Sequence, residues 1–64
     1  MVLEFNELSC KLFGQRYAEL AKIGKQTQEF DLMIASNAMA HNAALVTMNE
    51  KDFANIRGLR IVSL

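Results

Sequence analysis

Apolar residues recur every three or four positions through the first third of the chain. They are Leu8, Leu12, Phe13, Tyr17, Leu20 and Ile23, with Lys11, Gln15, Arg16, Glu19 and Lys22 on the opposite side. This spacing predicts an amphipathic helix of about five turns, with Asn6 as its N-cap and Gly24 just past its end. Gly14 lies inside it at a cost of about 1 kcal/mol against alanine, and we interpret it as a site of close packing.

The stretch from Asp31 to about Asn42 is apolar on nearly every side and carries one acid, at its start. It is too apolar for a surface helix, so we predict a buried one. Its small residues would let neighbouring elements approach closely; they are Ala35, Ser36, Ala38 and Ala40. The polar residues 25–30 before it lack an apolar period and are predicted to form a loop.

Three short apolar segments predict strands: residues 2–5, a buried strand at 45–47, and a last strand at 59–63 after a turn at Gly58. Residues 49–53 predict a short turn of helix. A helix before a continuous apolar strand favours a parallel sheet with helices. The predicted fold is therefore one α/β domain over residues 1–64, in the order strand, helix, helix, strand, strand.

The composition indicates that the chain has a binding partner. The 64 residues are 52% hydrophobic, although a chain this short buries only about 60% of its unfolded surface. Some of that apolar surface is therefore predicted to meet a second copy or a missing part of the same domain. The formal net charge is zero, so no overall field would attract nucleic acid, and any contact with it would be local.

The cysteine content and the hydropathy pattern predict the cellular compartment. The single cysteine, Cys10, excludes an internal disulfide and fits a reducing compartment. No apolar run approaches the ~20 residues that span a bilayer, and the first residues lack a signal-peptide pattern. We predict a cytoplasmic protein that does not contact the membrane.

One group of polar residues could carry chemistry. A helix of about 11 residues and a strand of about five have similar lengths of about 16 Å, and the short connection between them makes them run antiparallel. Asp31 should then lie at the same edge as Asn49, the carboxyl edge where α/β sheets bind ligands. The residues predicted to face one hollow there are Asp31, Thr47, Asn49 and Asp52, which offer oxygen ligands of the kind that Mg²⁺ prefers.

Simpler roles remain open for the same residues. Asp31 could be a helix cap or a partner of the helix dipole. Asn49 could be a turn residue, and Asp52 could belong to a short helix in solvent. One carboxylate and one amide are few ligands for a divalent cation.

The order and spacing of several segments resemble the C-terminal half of a PIN-domain protein, and most closely the VapC-type toxins of bacterial toxin–antitoxin pairs. The segments are FDLMIA at 30–35, NAALVTMN at 42–49, KDF at 51–53 and IRGLRI at 56–61. The upstream helix, with YAEL at 17–20 and its end at Gly24, agrees. The resemblance covers nearly all of the chain and implies a partial parallel sheet with helices, a C-terminal fragment of a three-layer α/β/α domain.

The resemblance implies a metal-dependent endoribonuclease, in which acids hold Mg²⁺ or Mn²⁺. Asp31 falls on the third acid of the family and is the implied catalytic residue and metal ligand. Asn49 falls on the fourth position, an Asp or Asn in the family, as a second metal ligand. Thr47 falls on the small hydroxyl residue before it, and Asp52 lies beside this position without being a usual ligand.

The departures from the family bear equally on function. Its first acid, an Asp on the first strand, and its second, usually a Glu on an early helix, have no counterpart here. The segment 26–29 lacks the frequent Pro- and Gly-containing turn, and the frequent Trp near the end is absent. We therefore predict a truncated ribonuclease that is incomplete and inactive alone, and its status as an enzyme stays open.

The implied partners are an RNA substrate, a cognate antitoxin, and a second copy or a complementing fragment. The alternative function is a non-catalytic remnant or interaction module that binds an antitoxin or a second copy. A third interpretation is a polypeptide that folds poorly alone.

Overall fold

A computed structural model of the chain describes residues 4–25 and 27–63. Its elements are α1 (Glu7–Lys22), α2 (Glu29–Ala40), β1 (Leu45–Thr47), α3 (Glu50–Phe53) and β2 (Ile61–Ser63). β1 and β2 pair in parallel with Val46 opposite Val62, and the chain crosses between them through α3. The predicted α/β class with a partial parallel sheet is confirmed.

Several predicted boundaries are wrong by about two residues. α2 begins and ends two residues early, so Phe30 is helical and not part of a loop, and β2 begins at Ile61 rather than at 59. Of the predicted strand 2–5, residues 2 and 3 lie outside the described part, and Glu4 and Phe5 are not in a strand. A strand needs a neighbour for its backbone hydrogen bonds, and the described residues form one pair of strands, β1 and β2.

Both predicted ends of α1 are confirmed by its caps. The Asn6 side chain accepts the Ser9 N–H at 2.9 Å, and the Ser9 hydroxyl accepts the Asn6 N–H at 3.1 Å, which makes a reciprocal capping box. At the other end Gly24 has φ +70°, and the Lys25 N–H donates to the Leu20 carbonyl at 3.0 Å. This left-handed turn satisfies carbonyls that the helix leaves open.

The same kind of turn ends α2 without a glycine. Asn42 has φ +54°, and the Ala43 N–H donates to the Ala38 carbonyl at 2.8 Å. Asn tolerates this left-handed conformation better than most residues. The Arg60 guanidinium donates to the Asn42 carbonyl at 2.6 Å, which ties the turn before β1 to the residue before β2.

The core lies between the two long helices, α3 and one face of the sheet. Its buried residues are Leu20, Leu32, Ala35, Phe53 and Ile56, and partly buried Phe13, Met39, Leu45, Leu59 and Ile61 pack against them. No helix of the described residues is both long enough and apolar enough to cross a bilayer.

The predicted apolar face of α1 is buried only in part. Leu8, Tyr17 and Ile23 are 48%, 52% and 62% exposed, although Leu20 is buried. The space over Gly14 is open, so the predicted close packing there is wrong. The exposed apolar residues and the open space over Gly14 have the same cause. α1 packs mainly on α2, and this one helix cannot cover the whole apolar face of α1.

The prediction of a buried strand at β1 is also wrong. Leu45 and Thr47 are half-buried, but Val46 between them is 55% exposed, and its partner Val62 is 48% exposed. Alternate residues of a strand point to opposite faces. The core therefore covers one face of this sheet and leaves the other open.

Candidate functional site

Asp31 lies in the first turn of α2, but it does not cap the helix. The N-cap is Gln28, whose side chain makes no capping bond, and Asp31 is the third helical residue. An acid in the first turn interacts favourably with the positive end of the helix dipole. Asp31 is half-buried, and within the described part of the chain it belongs to no ion pair.

Asp31 lines a polar hollow of about 210 Å³, which we name the Asp31 hollow. Its lining residues are Thr27, Gln28, Asp31, Lys51, Asp52 and Asn55. Lys51 and Asp52 belong to α3, which follows β1 almost directly. The start of α2 and the carboxyl end of β1 therefore lie on the same side of the molecule.

Asn49 lines a second hollow, of about 470 Å³, which we name the Asn49 hollow. Its lining residues are Met48, Asn49, Glu50, Lys51, Asp52 and Ser63. Lys51 and Asp52 line both hollows, so the two adjoin at α3. Asp31 and Asn49 therefore line neighbouring hollows that share Lys51 and Asp52, and Thr47 lines neither. A common site for these residues stays a prediction.

Hydrogen bonds fix the backbone where the chain leaves β1. The Asn49 N–H donates to the Thr47 hydroxyl at 3.0 Å, and the Asp52 N–H donates to the Asn49 carbonyl at 3.1 Å. Asn49 is the N-cap residue of α3, yet its side chain makes no capping bond. Its amide is exposed, so it can meet a ligand without losing a helix cap.

The residues present do not by themselves make a metal centre. No group of three or more His, Cys, Asp or Glu side chains that could hold a metal ion occurs among residues 4–25 and 27–63. The Asp31 hollow is lined by two acidic residues, Asp31 and Asp52, and also by Lys51. Mg²⁺ gives up its water reluctantly and needs several well-placed oxygen ligands, so these two acidic residues alone are too few to hold it.

The residue pattern did not reveal four members of the Asp31 hollow: Thr27, Gln28, Lys51 and Asn55. Lys51 and Asn55 are four residues apart, and residues at this separation lie on the same side of a helical turn. This spacing could have indicated that both side chains face the same hollow. Thr27 and Gln28 lie in an irregular segment, where no periodicity indicates which way a side chain faces.

Two helices beside a parallel sheet, with an acid at the start of the second helix near the carboxyl end of a strand, define a partial α/β domain. No protein-family profile matches the chain. Solved structures do: a DNA-bound VapBC from Salmonella typhimurium has a TM-score of 0.91 at 35% identity, covering 97% of this chain and 47% of that one. VapBC2 from Rickettsia felis, bound to a DNA fragment from its promoter, has a TM-score of 0.87 at 37% identity, covering 94% and 45%.

Sequence relatives agree with the structural ones. The chain is 37% identical over 59 residues to the tRNA(fMet)-specific endonuclease VapC of Shigella flexneri, covering 92% of this chain and 45% of that protein. It is 38% identical over 58 residues to ribonuclease VapC2 of Rickettsia felis, covering 91% and 43%. The resemblance to VapC-type PIN-domain proteins is thereby confirmed, and the chain spans a little under half the length of these relatives.

Proposed function

We propose that this chain is part of a PIN-domain endoribonuclease of the VapC type, which cleaves RNA phosphodiester bonds with Mg²⁺ or Mn²⁺ and is incomplete and inactive in these 64 residues alone. The observation that carries the proposal is the position of Asp31, in a polar hollow beside the carboxyl end of β1. That edge is where α/β sheets bind ligands. The relatives named ribonuclease support the reaction class.

In this proposal the chain supplies only part of the site. Asp31 is the catalytic residue and a metal ligand, and Asn49 is a second ligand. Thr47 has a supporting role, because its hydroxyl accepts the Asn49 N–H. Asp52 has a supporting role as an acidic residue that lines both hollows. The remaining acids would come from a region that corresponds to the part of the relatives outside the match. The metal would activate water and stabilise charge on the phosphate.

A chimera tests this proposal within a complete domain. The 59 matched residues of the Shigella flexneri VapC are replaced by the corresponding residues of this chain. With Mn²⁺, the purified chimera should cleave tRNA(fMet) or another RNA in a total-RNA sample, followed on a gel. Asp31→Asn should lower the cleavage rate at least about 100-fold, the order that removing a group acting in the transition state produces.

Glu29→Gln is the matched control, since Glu29 is an acid of the same helical turn that does not line the Asp31 hollow. It should change the rate less than about threefold. A folded chimera that cleaves no RNA, or one that cleaves equally well with Asp31→Asn, contradicts the proposal.

The second candidate is a non-catalytic module that binds an antitoxin. It is favoured by the lack of a three-acid group among the described residues and by the VapBC complexes among the structural relatives. It predicts that the 64-residue chain binds the Salmonella typhimurium VapB in solution and that the folded chimera is inactive. An active chimera whose cleavage needs Asp31 excludes it.

A further inference from the structure

A further hollow lies where α1 ends and α2 begins, and we name it the Tyr17 pocket. Its volume is about 350 Å³, within the range of about 300–1,000 Å³ that small-molecule sites occupy. Two of its lining residues, Leu20 and Leu32, are buried, whereas Tyr17, Lys25 and Glu29 are exposed. The pocket therefore combines apolar walls with a few exposed polar groups, as ligand sites commonly do.

Tyr17 presents an aromatic surface at this pocket. It is 52% exposed, and its ring is stacked on the ring of Phe13, with centroids 6.1 Å apart and 27° between the planes. Phe13 is partly buried and packs against the core, so this contact restricts the movement of the Tyr17 ring. An aromatic ring that is held in place and still exposed is a platform on which nucleic-acid bases stack.

The Tyr17 pocket adjoins the Asp31 hollow. Thr27 and Gln28, in the segment between α1 and α2, line both of them. In the proposed function, a phosphodiester bond of RNA is cleaved at Asp31. A nucleotide next to that bond would therefore reach the Tyr17 pocket.

Two charged side chains line the pocket, and they differ in what they can bind. Lys25 is exposed and, in the part of the chain that the structure describes, belongs to no ion pair. A lysine ammonium binds RNA phosphate as a point charge. Glu29 is also exposed, but a carboxylate repels phosphate, so we assign it no contact with RNA.

We propose that the Tyr17 pocket holds a nucleotide of single-stranded RNA next to the bond that is cleaved at Asp31. The Tyr17 ring stacks on the base, and the Lys25 ammonium contacts an adjoining phosphate. This inference rests on the proposed function, and it makes Tyr17 and Lys25 substrate-binding residues. Stacking tolerates every base, since each has a π-face, so the pocket selects unpaired nucleotides and not a particular base sequence.

RNA binding to the full 64-residue chain, measured without metal, tests the inference. Tyr17 is the only tyrosine, so the tyrosine ring signals in a two-dimensional proton NMR spectrum belong to this residue alone. The probes are a ribonucleotide tetramer of adenosine and an abasic tetramer with the same phosphates. We expect the adenosine tetramer to shift the Tyr17 ring signals in a saturable way and the abasic tetramer to leave them in place.

Variants of the aromatic residue test the stacking contact, with affinities taken from the fluorescence anisotropy of a labelled adenosine tetramer. Tyr17→Ala should weaken binding at least about fivefold, the lower end of what the loss of a stacking partner produces. Tyr17→Phe keeps the ring and should stay within about twofold of the wild type. Leu8→Ala is the matched control, because Leu8 is an apolar residue of α1 that is 48% exposed and does not line the pocket; it should also stay within about twofold.

Variants of the lysine test the phosphate contact. Lys25→Gln should weaken binding and reduce the slope of log affinity against log salt concentration by about 0.7, the effect of losing one phosphate contact on a single strand. Lys11→Gln is the matched control, because Lys11 is an exposed lysine near the start of α1 that does not line the pocket; its slope should equal that of the wild type. Circular dichroism melting of every variant separates lost binding from lost folding. If the 64-residue chain shows no cooperative transition, the anisotropy series is measured on the chimera carrying Asp31→Asn.

Four results overturn the inference: no binding of the adenosine tetramer by the folded protein, equal binding of the abasic tetramer, Tyr17→Ala with the affinity of the wild type, or equal weakening by Leu8→Ala. Any of them together with an active chimera that needs Asp31 refutes the Tyr17 pocket as a subsite and leaves the proposed function intact. An inactive chimera together with binding that needs Tyr17 refutes cleavage and leaves the pocket as an RNA-binding site.

Discussion

Ser9 shows how a single polar residue can connect two elements. It is fully buried near the start of α1, where its hydroxyl accepts the Asn6 N–H and lies 2.8 Å from the Asn37 Oδ1 of α2. The same side chain thus completes the cap of one helix and donates to the next. Apolar periodicity cannot find such a residue, because the pattern treats a serine as an outward-facing position.

Ser9→Ala should lower the free energy of unfolding by about 1–2 kcal/mol, since it removes half of the capping box and a buried hydrogen bond. Urea unfolding followed by circular dichroism measures the change. Ser36→Ala is the matched control: Ser36 is equally buried, but its hydroxyl donates only to the Leu32 carbonyl of its own helix. That variant should stay within about 0.5 kcal/mol of the wild type, as alanine favours the helix. Equal losses would show that burial, and not the network, matters.

At the scale of elements, charged side chains join α1 to the segment before β2. The Arg57 guanidinium donates to a Glu19 carboxylate oxygen at 2.7 Å, and the Arg16 Nε donates to the Arg57 carbonyl at 2.7 Å. Arg16 was predicted on the outer side of α1, but its side chain is only 12% exposed. The hydrogen bond from Arg57, aided by the charges of Arg16 and Arg57, lowers the pKa of Glu19, and the same bond raises the pKa of Arg57.

The pH dependence of this contact follows from the lowered pKa of Glu19. A carboxyl group with a lower pKa in the folded state stabilises the fold above its unfolded pKa and stops doing so as the pH falls through its folded pKa. The wild type should therefore have a higher urea midpoint than Glu19→Gln near neutral pH, and the difference should shrink at an acidic pH below the ordinary glutamate pKa of about 4.3. Because Glu19 is at the surface, 1 M NaCl should also reduce the difference. A difference that is the same at both pH values contradicts the assignment.

At the scale of the whole molecule, the short helix α3 contributes a large side chain to the small core. It has four residues, yet Phe53 at its end is only 7% exposed and packs with Leu32 and Ile56 in the core. The core has few members, so each makes up a large part of it. The two hollows also meet at α3, which links the stability of the core to the shape of the candidate site.

Phe53→Ala should abolish cooperative thermal unfolding of the 64-residue chain. Removing a buried Phe costs about 3–5 kcal/mol, which is comparable to the whole stability that a core of this size supplies. Phe30→Ala, at a position that is 70% exposed, should leave the transition within about 0.5 kcal/mol. A wild-type chain without any cooperative transition would instead support the interpretation that the polypeptide folds poorly alone.

Local chemistry explains which predictions were confirmed. Asn6 and Gly24 mark the ends of α1, because helix caps form between residues that are close in sequence. The β-branched residues of β1 favour a strand whether or not its faces are buried. The antiparallel course of α2 and β1 likewise follows from a short connection. These properties depend on neighbouring residues, so the amino-acid order alone contains them.

The tertiary structure decided which surfaces are buried and which side chains share a hollow. Val46 has the residue type of a buried strand, yet it is exposed, because burial depends on whether another layer lies over it. Asp31 and Asn49 approach the same edge of the sheet, but they line two adjoining hollows that meet at Lys51 and Asp52 of α3. The sequence by itself determined the two long helices, the caps of α1 and the strand β1, whereas the packing of distant segments determined the core face, the open face and the form of the site.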